Sequence, residues 1–266
     1  MGVVVNTNIS SITASRILSE NRADLEKAME RLASGKRINS AADDAAGMAV
    51  AAKMRADIGS LNQSVRNTND AISLVNTYDG AAAEIESILI RMRELAVQSK
   101  NGTYETADRT NANFEYTALK NEITRIAGVS AFNRMTVGQG SSGAAGGTGV
   151  ADTTFTFYVG SDVAKTGNSI AFAAKALDLN LAVSSGTLNS VVDTASAGQA
   201  IATLDDAITE LAANRAQAGA LINRLEHTVS NLMNVSQRLQ EAVSGIEDAD
   251  YAAESANLAR GMVLAQ

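Results

Sequence analysis

The sequence predicts a mainly α protein: a long coiled-coil-like helical bundle rod with a small β-hairpin region in the middle of the chain. Three observations lead there. Proline is absent from all 266 residues, and because proline breaks helix interiors, its absence permits very long helices. Apolar residues recur in steps of three and four in both halves of the chain, which is the spacing of a coiled-coil seam. Between the halves, "TTFTFYV" (153–159) alternates and is rich in β-branched and aromatic residues, the chemistry of a strand.

Composition narrows the class further. Apolar residues make up 45% of the chain, but aromatics only 4%, with no Trp. A core of Ala, Leu, Ile, Val and Met favours closely packed helices over a thick globular interior. The net charge is -7 and the pI about 4.9. Without a basic block to neutralise phosphates, nucleic acid is excluded as a partner. The absence of Cys excludes disulfides and thiolate metal sites. The start, "MGVVVNTNISS", lacks the basic region and long apolar run of a secretory signal. No window has the length of a membrane span. The expectation is a protein that is cytosolic, or exported without a cleaved signal peptide, with no membrane partner.

Taken in order, Leu18, Leu25 and Leu32 form a first helical stripe, with Ala28 and Met29 beside it, and Ser34-Gly35 ends it. Ser40 with Asp43 three residues on reads as a capping box opening the next helix. Leu61, Val65, Thr68, Ile72 and Val75 begin its stripe; after a phase shift near Asp79, Ile85, Ile88, Met92 and Leu95 continue it, and Asn101-Gly102 stops it. A helix over about 105–127 carries Phe114, Leu119, Ile123 and Ile126, with Gly128 at its end. "GQGSSGAAGGTG" (138–149) is a flexible segment. The strand at 153–159 finds a hairpin partner in "NSIAF" (168–172), and Leu177, Leu179 and Leu181 alternate as a third strand would. From Ile201 a heptad seam passes through Leu204, Ile208, Leu211, Arg215, Ala218, Ile222, Leu225, Val229, Leu232, Ser236, Leu239, Val243 and Ile246. Only Arg215 and Ser236 in it are polar. Arg215 either snorkels outward or fixes helix register; both readings stand.

No catalytic cluster emerges. "SGKR" (34–37) has one Gly before its Lys and an Arg after it, unlike a phosphate loop. Asp43 and Asp44 are neighbours and do not converge on a metal. His227, the sole histidine, lies on a polar helix flank. "EDAD" (247–250) lacks the spaced oxygens and Gly of a calcium loop and reads as an acidic helix start. The expectation is a protein that is no enzyme and has no cofactor or metal.

Four longer stretches, taken together, resemble one family. They are "VNTNISS" near the start, "MERLASGKRINSAADDAAGMAVAAKMR" (29–55), "RNTNDAISLVNTYDGAAAEIESILIRMRELAVQSKNGT" (66–103) and "RAQAGALINRLEHTVSNLMNVSQRLQEAVSGIEDADYAAE" (215–254). The sequence is similar to bacterial flagellin, of a minimal type lacking large outer decoration domains. The resemblance implies a subunit that polymerises with itself into the extracellular flagellar filament for swimming motility. It also implies an export chaperone, a filament cap and an animal innate immune flagellin receptor as partners. It divides the chain into 1–40, the inner filament-core helix and start of the spoke; 41–130, the N-terminal arm of the outer helical rod; 131–193, the variable Gly/Ser and β-hairpin region; 194–244, the C-terminal arm of the rod; and 245–266, a C-terminal inner helix that stops short of the family's usual length. Lys36, Arg37, Asn39, Asp43 and Asp44 would then be spoke residues making contacts within and between subunits. Arg91, Leu95, Gln98 and Glu115 would contact the immune receptor. The alternatives are a hook-filament junction protein and a flagellin-like cell-surface binding protein. The spoke stretch and "RMRELAVQ" (91–98) favour the filament, and a sugar groove would find only Phe155, Phe157, Tyr158 and Phe172 as platforms.

Overall fold

The structure is a computed structural model that describes residues 8–138, 153–160, 167–177 and 190–266. The elements run α1 (Ile9–Ser34), α2 (Ala45–Lys100), α3 (Thr106–Val129), β1 (Ala131–Phe132), β2 (Met135–Thr136), β3 (Thr153–Tyr158), β4 (Ser169–Ala174), α4 (Thr194–Glu247) and α5 (Tyr251–Ala265). This is the mainly α architecture that the sequence predicts, with a hairpin in mid-chain. Of the expected features, most of the Gly/Ser segment and Leu179 and Leu181 of the third strand lie outside the described residues; Leu177 is buried.

The chain divides into two compact units, Gln63–Leu232 and the pair Met1–Asn62 with Met233–Gln266. In Gln63–Leu232, α2 and α4 run antiparallel: Arg93 pairs with Asp205 at 2.5 Å, and Arg215 Nε with Asp79 at 2.9 Å. On α2 the buried positions Ser64, Thr68, Ala71, Val75, Tyr78, Ala82, Ile85, Leu89, Met92, Ala96 and Ser99 lie in steps of three and four, with Leu74 and Leu95 buried beside them. They form one unbroken heptad seam, so the phase shift expected near Asp79 does not occur. The larger apolar residues Val65, Ile72 and Ile88 sit on its flank, half-buried. On α4 the same holds. Leu204, Leu211, Ala218, Leu225 and Leu232 are central as expected, but Ala200, Ala207 and Asn214 fill the intervening positions. Ile201, Ile208, Arg215 and Ile222 lie one residue to the side, half-buried. Small seam residues let two helices approach closely, and bulkier neighbours then cover the joint.

Around this seam, α3 contributes Tyr116, Ile123 and Ala127. Burial pushes the Tyr116 hydroxyl up to about 12. β3 and β4 pair antiparallel with Phe155 opposite Phe172 and Phe157 opposite Ile170. Their alternation turns Ile170, Phe172 and Ala174 inward, where Phe172 meets Tyr78 edge-on at 5.3 Å. The β1–β2 hairpin was not foreseen; Asn133 and Arg134 turn it at φ 48 and 65.

In the other unit, α1 and α5 pack antiparallel. Arg31 reaches Glu254 at 3.1 Å, and Gly261 lies against Leu25. Ala28 is buried between them, while Ile9, Ile12, Val263 and Leu264 stay exposed.

Candidate functional site

Two helix connections meet in the second unit and form an elbow. The first, residues 35–44, joins α1 to α2. Gly35 ends α1 in the left-handed conformation, φ 70, its N–H donating to Arg31 O at 2.8 Å. The second, residues 248–250, joins α4 to α5, and Asp250 caps α5 by accepting from Ala252 and Ala253 N–H. Backbone bonds stitch the two: Arg37 N–H donates to Glu247 O at 2.6 Å, and Ala249 N–H to Gly35 O at 3.0 Å.

Side chains complete the elbow. Arg37 donates from Nη2 (2.7 Å) and Nε (3.3 Å) to Ile246 O, satisfying a carbonyl that the end of α4 leaves open. Glu247 is 5% exposed and lies 2.9 Å from Arg55 and 4.0 Å from Lys36. Asn39 Nδ2 donates to Ser34 Oγ at 2.8 Å. Asp43 accepts from Ser40 N–H at 2.9 Å, Ser40 Oγ at 3.0 Å and Asn39 N–H at 3.2 Å. The bonds from Ser40, with that from Asn39 and the charge of Arg31, hold its carboxyl below the ordinary aspartate value. Asp44, not Ser40, caps α2, accepting from Gly47 N–H at 2.8 Å. The Ser40–Asp43 pair closes a tight turn one step before the helix. Gly47 fits closely: a Cβ there would stand 2.4 Å from Asp44 Oδ2 and 2.9 Å from Ile38 Cδ1, so both side chains would have to shift to admit one.

A second constellation lies on the surface of α2 and α3. Arg91 Nε pairs with Glu115 at 2.8 Å and its Nη1 with Glu94 at 2.9 Å. The Glu115 bond, then the Glu94 bond, raises the Arg91 guanidinium above its ordinary value. Gln98 Nε2 donates to Tyr104 OH at 3.2 Å. Arg91, Gln98, Tyr104 and Glu115 share one shallow depression. Leu95 lies under it at 2% exposure, in the core.

The structure therefore brings Lys36, Arg37, Asn39, Asp43 and Asp44 together with four groups that sequence reasoning passed over: Arg31, Arg55, Glu247 and Glu254. The acidic helix start expected at "EDAD" (247–250) falls on its last residue: α4 runs through Glu247, and Asp250 opens α5. The signal available was two acids flanking the α4–α5 connection, Glu247 as the last residue of α4 and Glu254 in the first turn of α5. His227 is exposed, and among the described residues no group of metal-ligating side chains occurs.

Comparison with known proteins gives one consistent answer. The family models described as the bacterial flagellin N-terminal and C-terminal helical regions match residues 5–142 and 201–266. A flagellin of Halalkalibacterium halodurans is 39% identical over 99% of this chain and 92% of its own. The flagellar filament core protein flaB2 of Brachyspira hyodysenteriae is 38% identical over 99% and 93%. A crystal structure of Bacillus cereus flagellin, 34% identical, superposes with a TM-score of 0.51, covering 63% of this chain and 88% of that one.

Proposed function

The chain belongs to the bacterial flagellin family, and from that premise we propose how its elbow and its α2–α3 face serve the filament. It is a structural subunit, not an enzyme, and it polymerises into the extracellular flagellar filament. On the family's plan, 1–40 and 245–266 form the inner layer and 41–130 with 194–244 the outer one, with 131–193 between the arms. The matched ranges, which leave out most of 131–193, support that division.

The elbow is then the spoke. The observation that carries this is Arg37, whose guanidinium closes the Ile246 carbonyl while its own N–H bonds Glu247 O. One residue thus ties both connections. Asn39, Asp43 and Asp44 stiffen the first connection from within. Lys36, half exposed, is the group available to a neighbouring copy. The exposed apolar residues of α1 and α5, such as Ile12 and Val263, are the surface for further copies. Arg37→Ala subunits should assemble poorly or with an altered waveform under the electron microscope; parent-like filaments would overturn the spoke role.

We assign contact with the animal immune receptor to Arg91, Gln98 and Glu115. Arg91 is a typical interface anchor, and Leu95 supports the face from beneath. Arg91→Ala should lower receptor signalling by purified monomer, and an unchanged response would remove the assignment. The export chaperone and filament cap follow from family membership alone.

A further inference from the structure

Asn101-Gly102 is the single Asn-Gly step in the sequence. It follows the end of α2 in an exposed loop, and three contacts converge on it. Thr103 N–H donates to Asn101 Oδ1 at 3.3 Å, closing an Asx-turn. Such a turn folds the side-chain Cγ back over the Gly102 peptide and polarises the side-chain carbonyl. Arg109 Nη2 donates to the Asn101 main-chain oxygen at 3.2 Å, and Tyr104 N–H does so at 3.4 Å. That oxygen belongs to the same peptide group as Gly102 N. Two donors on it, one of them cationic, stabilise the anion formed when Gly102 N–H loses its proton. Gly102 N–H makes no hydrogen bond among the described residues, and the space where its Cβ would lie is open.

We propose that Asn101 is a self-modification site, in which Arg109 activates the Gly102 amide nitrogen for attack on Asn101 Cγ. A solvent base removes the Gly102 N–H proton. The nitrogen bonds to Cγ, the Cγ–Nδ2 bond breaks, and the side-chain nitrogen leaves as ammonia with a proton from water. The resulting succinimide is opened by water. Attack at Cγ gives aspartate; attack at the main-chain carbonyl gives isoaspartate, with one extra methylene in the backbone. Nothing is oxidised or reduced, and water is the only co-reactant. The product carries a new carboxylate beside Arg109, where α2 ends. The isoaspartate form also lengthens the α2–α3 connection, across which Arg109 holds Ser99 O at 2.9 Å.

The test ages the full-length protein, with Gly102→Ala, Arg109→Gln and Arg109→Lys variants, at several mildly alkaline pH values. Peptide mass spectrometry and isoaspartyl methyl acceptance read the conversion; circular dichroism checks that each variant keeps its helices. The parent should convert at Asn101 well ahead of its other asparagines, and Gly102→Ala should nearly stop it. Losing the cation leaves the amide less acidic, so Arg109→Gln should convert about tenfold slower at a given pH. Its rate profile should move to higher pH, with Arg109→Lys between. Conversion at Asn101 no faster than elsewhere would overturn the site. Arg109→Gln converting as fast as the parent, or faster, would show that Arg109 only clamps the loop, and would overturn the activation.

Discussion

In Gln63–Leu232 the α2–α4 seam is built of uncharged side chains repeated along its length, polar only at positions such as Ser64, Thr68 and Asn214. Ala82, Ala96, Ala200, Ala207 and Ala218 recur among leucines, and its charges stay on the flank, where Arg215 meets Asp79 and Glu86. The elbow is built the opposite way. It hides Glu247 and Glu254, pairs them with arginines, and joins its two connections by named backbone bonds. The seam gains its stability from area and repetition, so each large residue in it counts in proportion to its volume. The elbow gains specificity from contacts that have no substitutes nearby.

Substitutions should separate the two in order of size. Leu211→Ala, at a fully buried seam position, should lose about 2–5 kcal/mol in urea unfolding, the ordinary cost of a large-to-small core change. A loss well under that would mean that the flanking residues close the gap. Gly47→Ala should come next, at about 1–3 kcal/mol, because Asp44 and Ile38 must both move to admit the methyl. Its effect should show as faster hydrogen exchange in the first turn of α2. Glu247→Gln keeps the shape and removes the charge beside Arg55. We expect about 1–2 kcal/mol, with a clear dependence on salt in the parent that the variant lacks. Arg215→Met should cost least, at most about 1 kcal/mol, since its partners remain hydrated.

Acid probes the comparison by another route. The Asp43 carboxyl is held below its ordinary value by Ser40, and the Asp193 carboxyl by Ser196 at the start of α4. A carboxyl depressed in the folded state contributes stability above its unfolded value, near about 3.9, and loses it as pH falls through the folded one. Asp43→Asn should therefore flatten the acid limb of the stability curve in the elbow, while the Leu-Ala seam is indifferent to pH. A parent and variant with superimposable acid limbs would refute the assignment of that slope to Asp43.

Much of this was legible in the sequence, for definable reasons. Helix ends came close to their true positions because Gly35 and Asn101-Gly102 act locally. The strands 153–159 and 168–172 were visible because alternation is a local signal too. The expected stripe on α2 follows Val65, Ile72 and Ile88, while Ser64, Ala71, Ala82 and Ala96 set the buried line. The elbow residues Lys36, Arg37, Asn39, Asp43 and Asp44 could be named, but not their partners. Arg37 acts on a main-chain carbonyl 209 positions away, and no side-chain pattern announces a carbonyl. Leu95 was placed with the exposed Arg91 by the shared motif, although its position on the stripe with Met92 already pointed to the core, where it lies.

The stitching of the elbow also sets an order of events in time. Arg37 reaches Ile246 across 209 residues and Arg31 reaches Glu254 across 223. Such distant closures cost chain entropy before they return any contact, and topologies rich in them fold slowly. Helix α1 therefore has no intramolecular partner until nearly the whole polypeptide has been made. Through that interval, the unit that contains the elbow is the last part of the molecule able to become native.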